Sequence, residues 1–247
     1  LPHPATLREA GIGAFHDEAL QFRQRSKMDW LEPGFDGWDM MRHYMSKTVG
    51  APEQESLETW IVQSQMTQAE GLRQALERHR TSLGRYAGSL YWSMNDVWPA
   101  VSWSTVDHAG RWKLGHHAAK RANAPRTVLW ERASNDSLRL QAFNDKASTL
   151  AGHLAVQCKT LDGIMLKDTT VAWNSLPHGM TRINLGEMRA WRQAPRDSYL
   201  TWQWTDASHP GDTLRQSALW DNAVEVNLPE CDIDISVSGD HLTIVSS

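Results

Sequence analysis

Apolar positions in the first half of the chain recur at helical spacing. The clearest example runs from residue 55 to residue 80, where apolar residues return every three to four positions with Arg, Gln and Glu between them. This spacing predicts a long helix with one buried face. Shorter helices are predicted within 5–24, at 38–47 and at 113–123, the last ended by Pro125. A short apolar run at 89–94 predicts a buried strand, so this half is expected to be an α/β unit.

Beyond Pro125 the period changes from about 3.6 to two, which is typical of half-buried strands. Six strands are predicted, at 137–143, 152–158, 169–173, 181–185, 199–204 and 214–220. Asn-Asp and Asp-Gly pairs separate them at the spacing of a β-sandwich. Residues 232–246 predict a hairpin, and because an isolated hairpin is marginal in water, we expect it to belong to a further unit.

Composition limits the functions that need to be considered. The 247 residues are 40% hydrophobic and 22% charged, with a net charge of −4, and no apolar run is long enough to cross a membrane. A mixed, slightly acidic charge does not favour a phosphate backbone, so we expect neither nucleic acid nor a membrane as partner. Thirteen tryptophans exceed what core packing usually requires. Flat indole rings fill sandwich cores, and they also stack on sugars and bases.

The strongest candidate site follows the predicted strand at 89–94. Trp92, Asn95, Asp96 and Trp98 lie at its carboxyl end, where side chains of parallel α/β architectures converge on ligands. An indole beside an amide and a carboxylate suits a sugar, which offers an apolar face and hydroxyl groups. The alternative interpretation is that both tryptophans are core residues and that Asn-Asp is a capped turn.

Other chemistries lack support in the sequence. His116 and His117 are adjacent, so they point to different sides of a helix and cannot act as a metal pair four residues apart. Neither a Gly-x-Gly-x-x-Gly phosphate loop nor a Gly-x-Ser-x-Gly nucleophile turn occurs. We therefore predict no metal and no cofactor.

Three runs of the sequence resemble the β-mannosidases of glycoside hydrolase family 2. They are Leu-Tyr-Trp-Ser-Met-Asn-Asp-Val-Trp at 90–98, Val-Ser-Trp-Ser at 101–104 and Gly-Arg-Trp-Lys at 110–113. Ser-Gln-Met-Thr-Gln-Ala at 64–69 is similar to the family's segment on the helix before the last barrel strand. The resemblance covers about half of the chain in sequence, and the region after Pro125 only in architecture.

The resemblance implies a fold class and three domains. Residues 1–125 would be the C-terminal portion of a (β/α)8 barrel, with its eighth strand at 90–94. Residues 126–226 would be an immunoglobulin-like β-sandwich, and residues 227–247 the opening hairpin of another sandwich. Because a whole barrel needs roughly 200 residues, the remainder would lie in a missing N-terminal part of the parent enzyme.

The resemblance also implies a function. The family's two catalytic glutamates lie in Ser-Glu and Asn-Glu pairs, and neither pair occurs here, so both are expected upstream of Leu1. The parent enzyme would hydrolyse terminal β-mannosides with retention. Trp92 would be the stacking platform, with Asn95, Asp96 and Trp98 shaping the pocket or holding its loop.

Two alternatives remain open at this stage. One is another family-2 exo-glycosidase, acting on glucosaminides or galactosides. The other is a non-catalytic module that binds carbohydrate or serves a structural role. Five tryptophans after Pro125 could also bind sugar, although core packing is the favoured interpretation: Trp173, Trp191, Trp202, Trp204 and Trp220.

Overall fold

The computed structural model describes residues 1–25, 33–52, 56–131, 137–208, 211, 213–229, 233–238 and 241–246. Helices dominate the first half and strands the second. The helices are α1 (Pro4–Glu9), α2 (Glu18–Gln21), α3 (Gly37–Thr48), α4 (Leu57–Thr81) and α5 (Leu114–Ala122). The strands are β1 (Arg126–Glu131), β2 (Ser137–Asn144), β3 (Leu150–Thr160), β4 (Met165–Ser175), β5 (Gly179–Glu187), β6 (Ser198–Asp206), β7 (Thr213–Leu219), β8 (Ile233–Ser238) and β9 (His241–Ser246).

Side-chain caps set the starts of the two longer helices. The Asp36 carboxylate accepts from the backbone N–H groups of Trp38 and Asp39, and the Asp39 carboxylate accepts from the N–H of Asp36. Together these bonds form a capping box at the start of α3. Ser56 caps α4 by accepting from the N–H of Thr59. The predicted long helix is therefore confirmed over Leu57–Thr81, while its predicted first residue, Glu55, lies outside the described residues.

The first half has an aromatic core of its own. Phe15 stacks on Trp60 of α4 with ring centroids 4.7 Å apart, and Trp38 of α3 meets Trp60 edge to face at 5.2 Å. Leu7 of α1 and Val101 are buried against the same cluster. Burying such large rings is a major source of stability for a small helical unit.

Seven strands of the second half form two antiparallel sheets. One has the order β1-β2-β5 and the other β4-β3-β6-β7. A single core lies between the sheets and includes Leu140, Leu154 and Trp204. This three-plus-four arrangement is typical of immunoglobulin-like domains. All six strands predicted from alternation are confirmed. Buried and more exposed residues alternate along β3 and β6, whereas residues 140–144 of β2 are all buried.

Strand β1 was not predicted from the sequence. Its four central residues, 127–130, are all buried, so the run shows no alternation. The cause is its position, because Val128 and Trp130 enter the sandwich core while the strand also contacts α4 and α5. A strand covered on both faces loses the period of two.

The strand predicted at 89–94 is not formed in this structure. Residues 88–92 have no regular secondary structure, and within the described residues no strand pairs with them. Leu90 is fully exposed, at 103% of its reference area. A buried strand requires partners on both edges, and the described part of residues 1–122 contains no barrel sheet.

Arg80 fastens the helices to the sandwich. Its guanidinium donates to the carbonyls of Ala122 and Ala124, pairs with the Asp145 carboxylate at 2.7 Å and lies over the ring of Phe143. The end of α4, the end of α5 and the β2 turn therefore meet at one side chain.

Among the described residues, the last two strands pair with each other and with no other strand. The described residues of β8 and β9 form an antiparallel hairpin, as predicted. The residues of its turn, Gly239 and Asp240, lie outside the described residues. In the described part of the chain, no helix has the length and apolarity that a membrane span requires.

Candidate functional site

The segment at 90–98 forms an exposed aromatic and apolar surface. Trp92 is 82% exposed, and Met94 and Val97 are also largely exposed. Asn95 is exposed as well, and its amide donates to the Asp96 carbonyl at 3.3 Å. The peptide bond between Trp92 and Ser93 is cis. Trp92 therefore presents an open indole face, and the interpretation of it as a core residue is wrong for this structure.

Short backbone bridges hold the base of this segment. The N–H of Val106 donates to the Met94 carbonyl at 2.7 Å, and the N–H of Asp96 donates back to the Val106 carbonyl at 3.1 Å. On the other side, the N–H of Lys113 donates to the Thr105 carbonyl at 2.9 Å. Residues 105–106 thus lie between the candidate site and the start of α5.

Asp96 is the centre of a buried polar network. Its Oδ1 accepts from Ser102 Oγ at 2.5 Å, and its Oδ2 accepts from Ser104 Oγ at 2.5 Å and from Lys113 Nζ at 3.2 Å. The Lys113 side chain is 0% exposed and that of Asp96 is 7% exposed. Both carboxylate oxygens are occupied by protein donors, so Asp96 holds its loop rather than facing a ligand.

A second buried carboxylate ties the site to α1. Asp107 accepts from Thr6 Oγ1 at 2.6 Å and from the N–H groups of His3, Ala109 and Arg111. Burial alone would raise the pKa of Asp107, but these hydrogen bonds lower it below its ordinary value. Asp107 therefore stays ionised and fixes the turn between 107 and 111.

Two glutamines of α4 hold backbone from both sides of the site. Gln65 Nε2 donates to the Leu1 carbonyl at 3.0 Å, and its Oε1 accepts from the N–H of Leu114. Gln68 Nε2 donates to the carbonyls of Trp103 and Ser104. The spacing of three places both amides on one helix face, which gives the Ser-Gln-Met-Thr-Gln run a physical role that the sequence alone did not reveal.

His116 makes a local contact rather than a ligand set. Its Nδ1 lies 3.1 Å from Thr105 Oγ1, and partial burial, His117 and Lys120 lower its pKa. Among the residues that the structure describes, no group of three or more His, Cys, Asp or Glu side chains is arranged to hold a metal ion.

The structure brings the four predicted site residues into one segment but gives them different surroundings. Trp98 and Pro99 line a shallow apolar depression of about 510 Å³ together with Ile12 and Phe22. Trp92 does not line this depression. The predicted indole platform therefore lies outside the depression that Trp98 lines, while the Asp96 side chain is buried.

The tryptophans of the sandwich belong to its core. All five for which a sugar-binding role was considered are buried: Trp173, Trp191, Trp202, Trp204 and Trp220. The indole N–H of Trp202 donates to the Val128 carbonyl across the sandwich at 2.8 Å, and that of Trp191 donates to Leu185. The packing interpretation is confirmed.

Sequence relatives share a single activity name. No protein-family model matches the chain. "Beta-mannosidase A" of Emericella nidulans is 27% identical over 130 residues, which is 51% of this chain and 14% of that protein. The β-mannosidase of Capra hircus is 38% identical over 69 residues, 27% of this chain and 8% of that protein. The chain thus matches about one seventh or less of these relatives.

Solved structures share the fold over nearly the whole chain. The β-D-mannosidase of Dictyoglomus thermophilum superposes with a TM-score of 0.76 at 22% identity, covering 99% of this chain and 30% of that chain. The exo-chitosanase of Amycolatopsis orientalis gives a TM-score of 0.69 at 17% identity, over 97% of this chain and 31% of that chain.

The curated relatives are β-mannosidases, and the motifs at 64–69 and 90–113 resemble the same class, the glycoside hydrolases of family 2. The chain is similar to these β-mannosidases over only part of their length, and the solved structures share its fold.

Proposed function

We propose that the chain is the C-terminal portion of a retaining, exo-acting β-mannosidase, which hydrolyses terminal β-D-mannose residues. The observation that carries this proposal is the open indole of Trp92, which belongs to the motif at 90–98, in a chain whose curated relatives are named β-mannosidases. An exposed indole stacks on the apolar face of a sugar ring.

In this proposal, residues 1–125 complete a (β/α)8 barrel whose other strands lie outside the chain. The segment at 90–94 becomes the eighth strand when neighbouring strands are present on both of its edges. Its exposed side chains, including Leu90 and Met94, then have partners to pack against. Residues 126–226 form the immunoglobulin-like domain, and residues 227–247 open a further sandwich.

The chain supplies substrate contacts rather than the reacting carboxylates. Retaining glycosidases use two carboxyl groups about 5 to 5.5 Å apart. Asp96 and Asp107 are engaged by protein donors, and we assign both glutamates to the preceding part of the enzyme. Trp92 is the platform, Asn95 offers its amide to sugar hydroxyls, and Asp96 and Trp98 shape and hold the loop.

The test compares two proteins on three chromogenic substrates. The protein from the complete reading frame and the 247-residue chain are assayed on the p-nitrophenyl β-glycosides of mannose, glucosamine and galactose. We expect the complete protein to favour the mannoside by at least about 100-fold in kcat/KM, and the chain alone to be inactive. Proton NMR of the first-formed sugar should show the β anomer.

Two results would contradict the proposal in different ways. A preference for the glucosaminide would instead support an exo-glucosaminidase, the activity suggested by the fold of the exo-chitosanase. Turnover by the 247-residue chain alone would show that the carboxylates are assigned wrongly.

A further inference from the structure

We infer that the buried ion pair of Asp96 and Lys113 is a positioning device, which sets the loop at 95–104 so that Asn95 faces the same substrate as Trp92. This inference rests on the proposed function only for the identity of that substrate. The device itself is argued from the contacts of the pair.

The network around Asp96 engages both oxygens of its carboxylate. Asp96 receives two serine hydroxyls and one ammonium group, and Lys113 Nζ also donates to Ser104 Oγ at 2.7 Å. Ser102 Oγ further accepts from the N–H of Ser104 at 3.0 Å. With both carboxylate oxygens occupied, the Asp96 side chain has one satisfied orientation.

The network closes the loop at 95–104. The bond from Ser102 to Asp96 joins the two ends of a loop whose middle carries Trp98. Val101, next to Ser102, is buried in the core of α1, α3 and α4. The loop that carries Trp98 is therefore held by the bond between Ser102 and Asp96 and by the buried side chain of Val101. The hydrogen-bonded network of Asp96, Ser102, Ser104 and Lys113 is called the polar clasp below.

Lys113 connects the loop to α5. It is the residue that precedes α5, so its side chain connects the loop to the helix start, and its N–H donates to Thr105. Gln68 of α4 donates to the carbonyl of Ser104. These contacts fix the position of the loop relative to α4 and α5.

Burial of this ion pair has a cost in free energy. Removing two charges from water is costly, and replacing a buried pair by apolar groups is often neutral or stabilising. A pair of this kind contributes little net stability, whereas it disfavours arrangements that separate the charges. The pair therefore accounts for the geometry of the loop better than for the stability of the fold.

The test uses Asp96→Asn, Lys113→Met and the double variant. Exposed controls of the same chemistry lie on the sandwich, Asp168→Asn and Lys146→Met. The first readout needs no activity: amide hydrogen exchange of the 247-residue chain at Asp96 and at 104–106. We expect about tenfold faster exchange in all three clasp variants, with α4 and both control variants unchanged.

The second readout uses the complete protein and the glycoside that it hydrolyses best. We expect each single variant to lower the thermal midpoint, because one buried charge loses its partner, and the double variant to recover most of that loss. KM should rise about tenfold in the double variant, with kcat within about threefold of the parent. Recovered stability with a raised KM separates positioning from a purely structural role.

The outcomes are distinct. Exchange that is unchanged at 104–106, or a double variant that regains both stability and KM, would overturn the inference. If the single variants do not fold, Ser102→Ala keeps the ion pair and removes the hydroxyl that bonds Asp96 Oδ1 and Ser104, and its exchange is measured at 105–106. A parent protein without activity on β-mannosides would overturn the proposed function, while the exchange result would still decide whether the pair positions the loop.

Discussion

The two halves of this chain use tryptophan in opposite ways. Eight tryptophans of the described residues are buried, and six of them lie in the sandwich. The four exposed ones all lie between 92 and 112: Trp92, Trp98, Trp103 and Trp112. The sandwich closes its own core within the chain, whereas the segment at 90–112 presents rings that are largely exposed to solvent, Trp92 most of all. High tryptophan content therefore reflects packing in the sandwich and exposed rings at 92–112, where we propose a binding surface.

The sharpest test of this difference is a matched pair of truncations. Trp191 is 1% exposed and its indole N–H donates to Leu185. Trp191→Ala should lower the free energy of unfolding by about 3–5 kcal/mol, because it leaves a cavity and an unpaired carbonyl. Trp92→Ala should change it by less than about 0.5 kcal/mol. Urea denaturation of both variants checks this, and equal losses would remove the distinction between the two regions.

A smaller effect is expected where the two regions meet. Arg80→Met removes two hydrogen bonds to carbonyls and a partly buried ion pair with Asp145. We expect a loss of about 1–3 kcal/mol in the free energy of unfolding. Denaturation followed separately by far-UV and near-UV circular dichroism would show whether helices and sandwich still unfold together. A loss below the error of measurement would mean that Arg80 does not couple them.

The smallest effect is expected at the surface of the sandwich. Arg189 pairs with Glu187 at 2.6 Å, but both side chains are mostly exposed. Arg189→Met should alter the free energy of unfolding by less than about 0.5 kcal/mol, since solvent and salt screen such pairs. The same denaturation experiment provides the baseline for Arg80→Met. A loss as large as that of Arg80→Met would show that exposure does not govern these pairs.

The sequence predicted the elements whose signal is local. Residues 57–81 carried a helical period, and strands such as β3 and β6 alternated because one face of each is buried. Strand β1 escaped prediction because it is covered on both faces. The segment at 90–94 was predicted as a strand from its apolar composition, although a strand also requires neighbours that composition does not report.

The candidate site was predicted as a set of residues but not as an arrangement. Trp92 and Asn95 are exposed as a binding role requires, whereas Asp96 is consumed by its own loop. Its partners Ser104 and Lys113 are eight and seventeen positions away, and nothing in local spacing pairs them. Gln65 and Gln68 were visible only as a motif, because the carbonyls and N–H groups that they hold belong to distant segments.

The most direct test of the central claim is the effect of Trp92→Ala on the complete protein. Catalytic constants on p-nitrophenyl β-D-mannopyranoside are measured beside those of Tyr44→Ala, which removes an exposed ring of α3. If Trp92 is the sugar platform, its truncation lowers kcat/KM by more than about tenfold while the free energy of unfolding is unchanged, and Tyr44→Ala stays within about twofold. Full activity of Trp92→Ala would contradict the account, because the exposed indole would then have no part in binding the sugar.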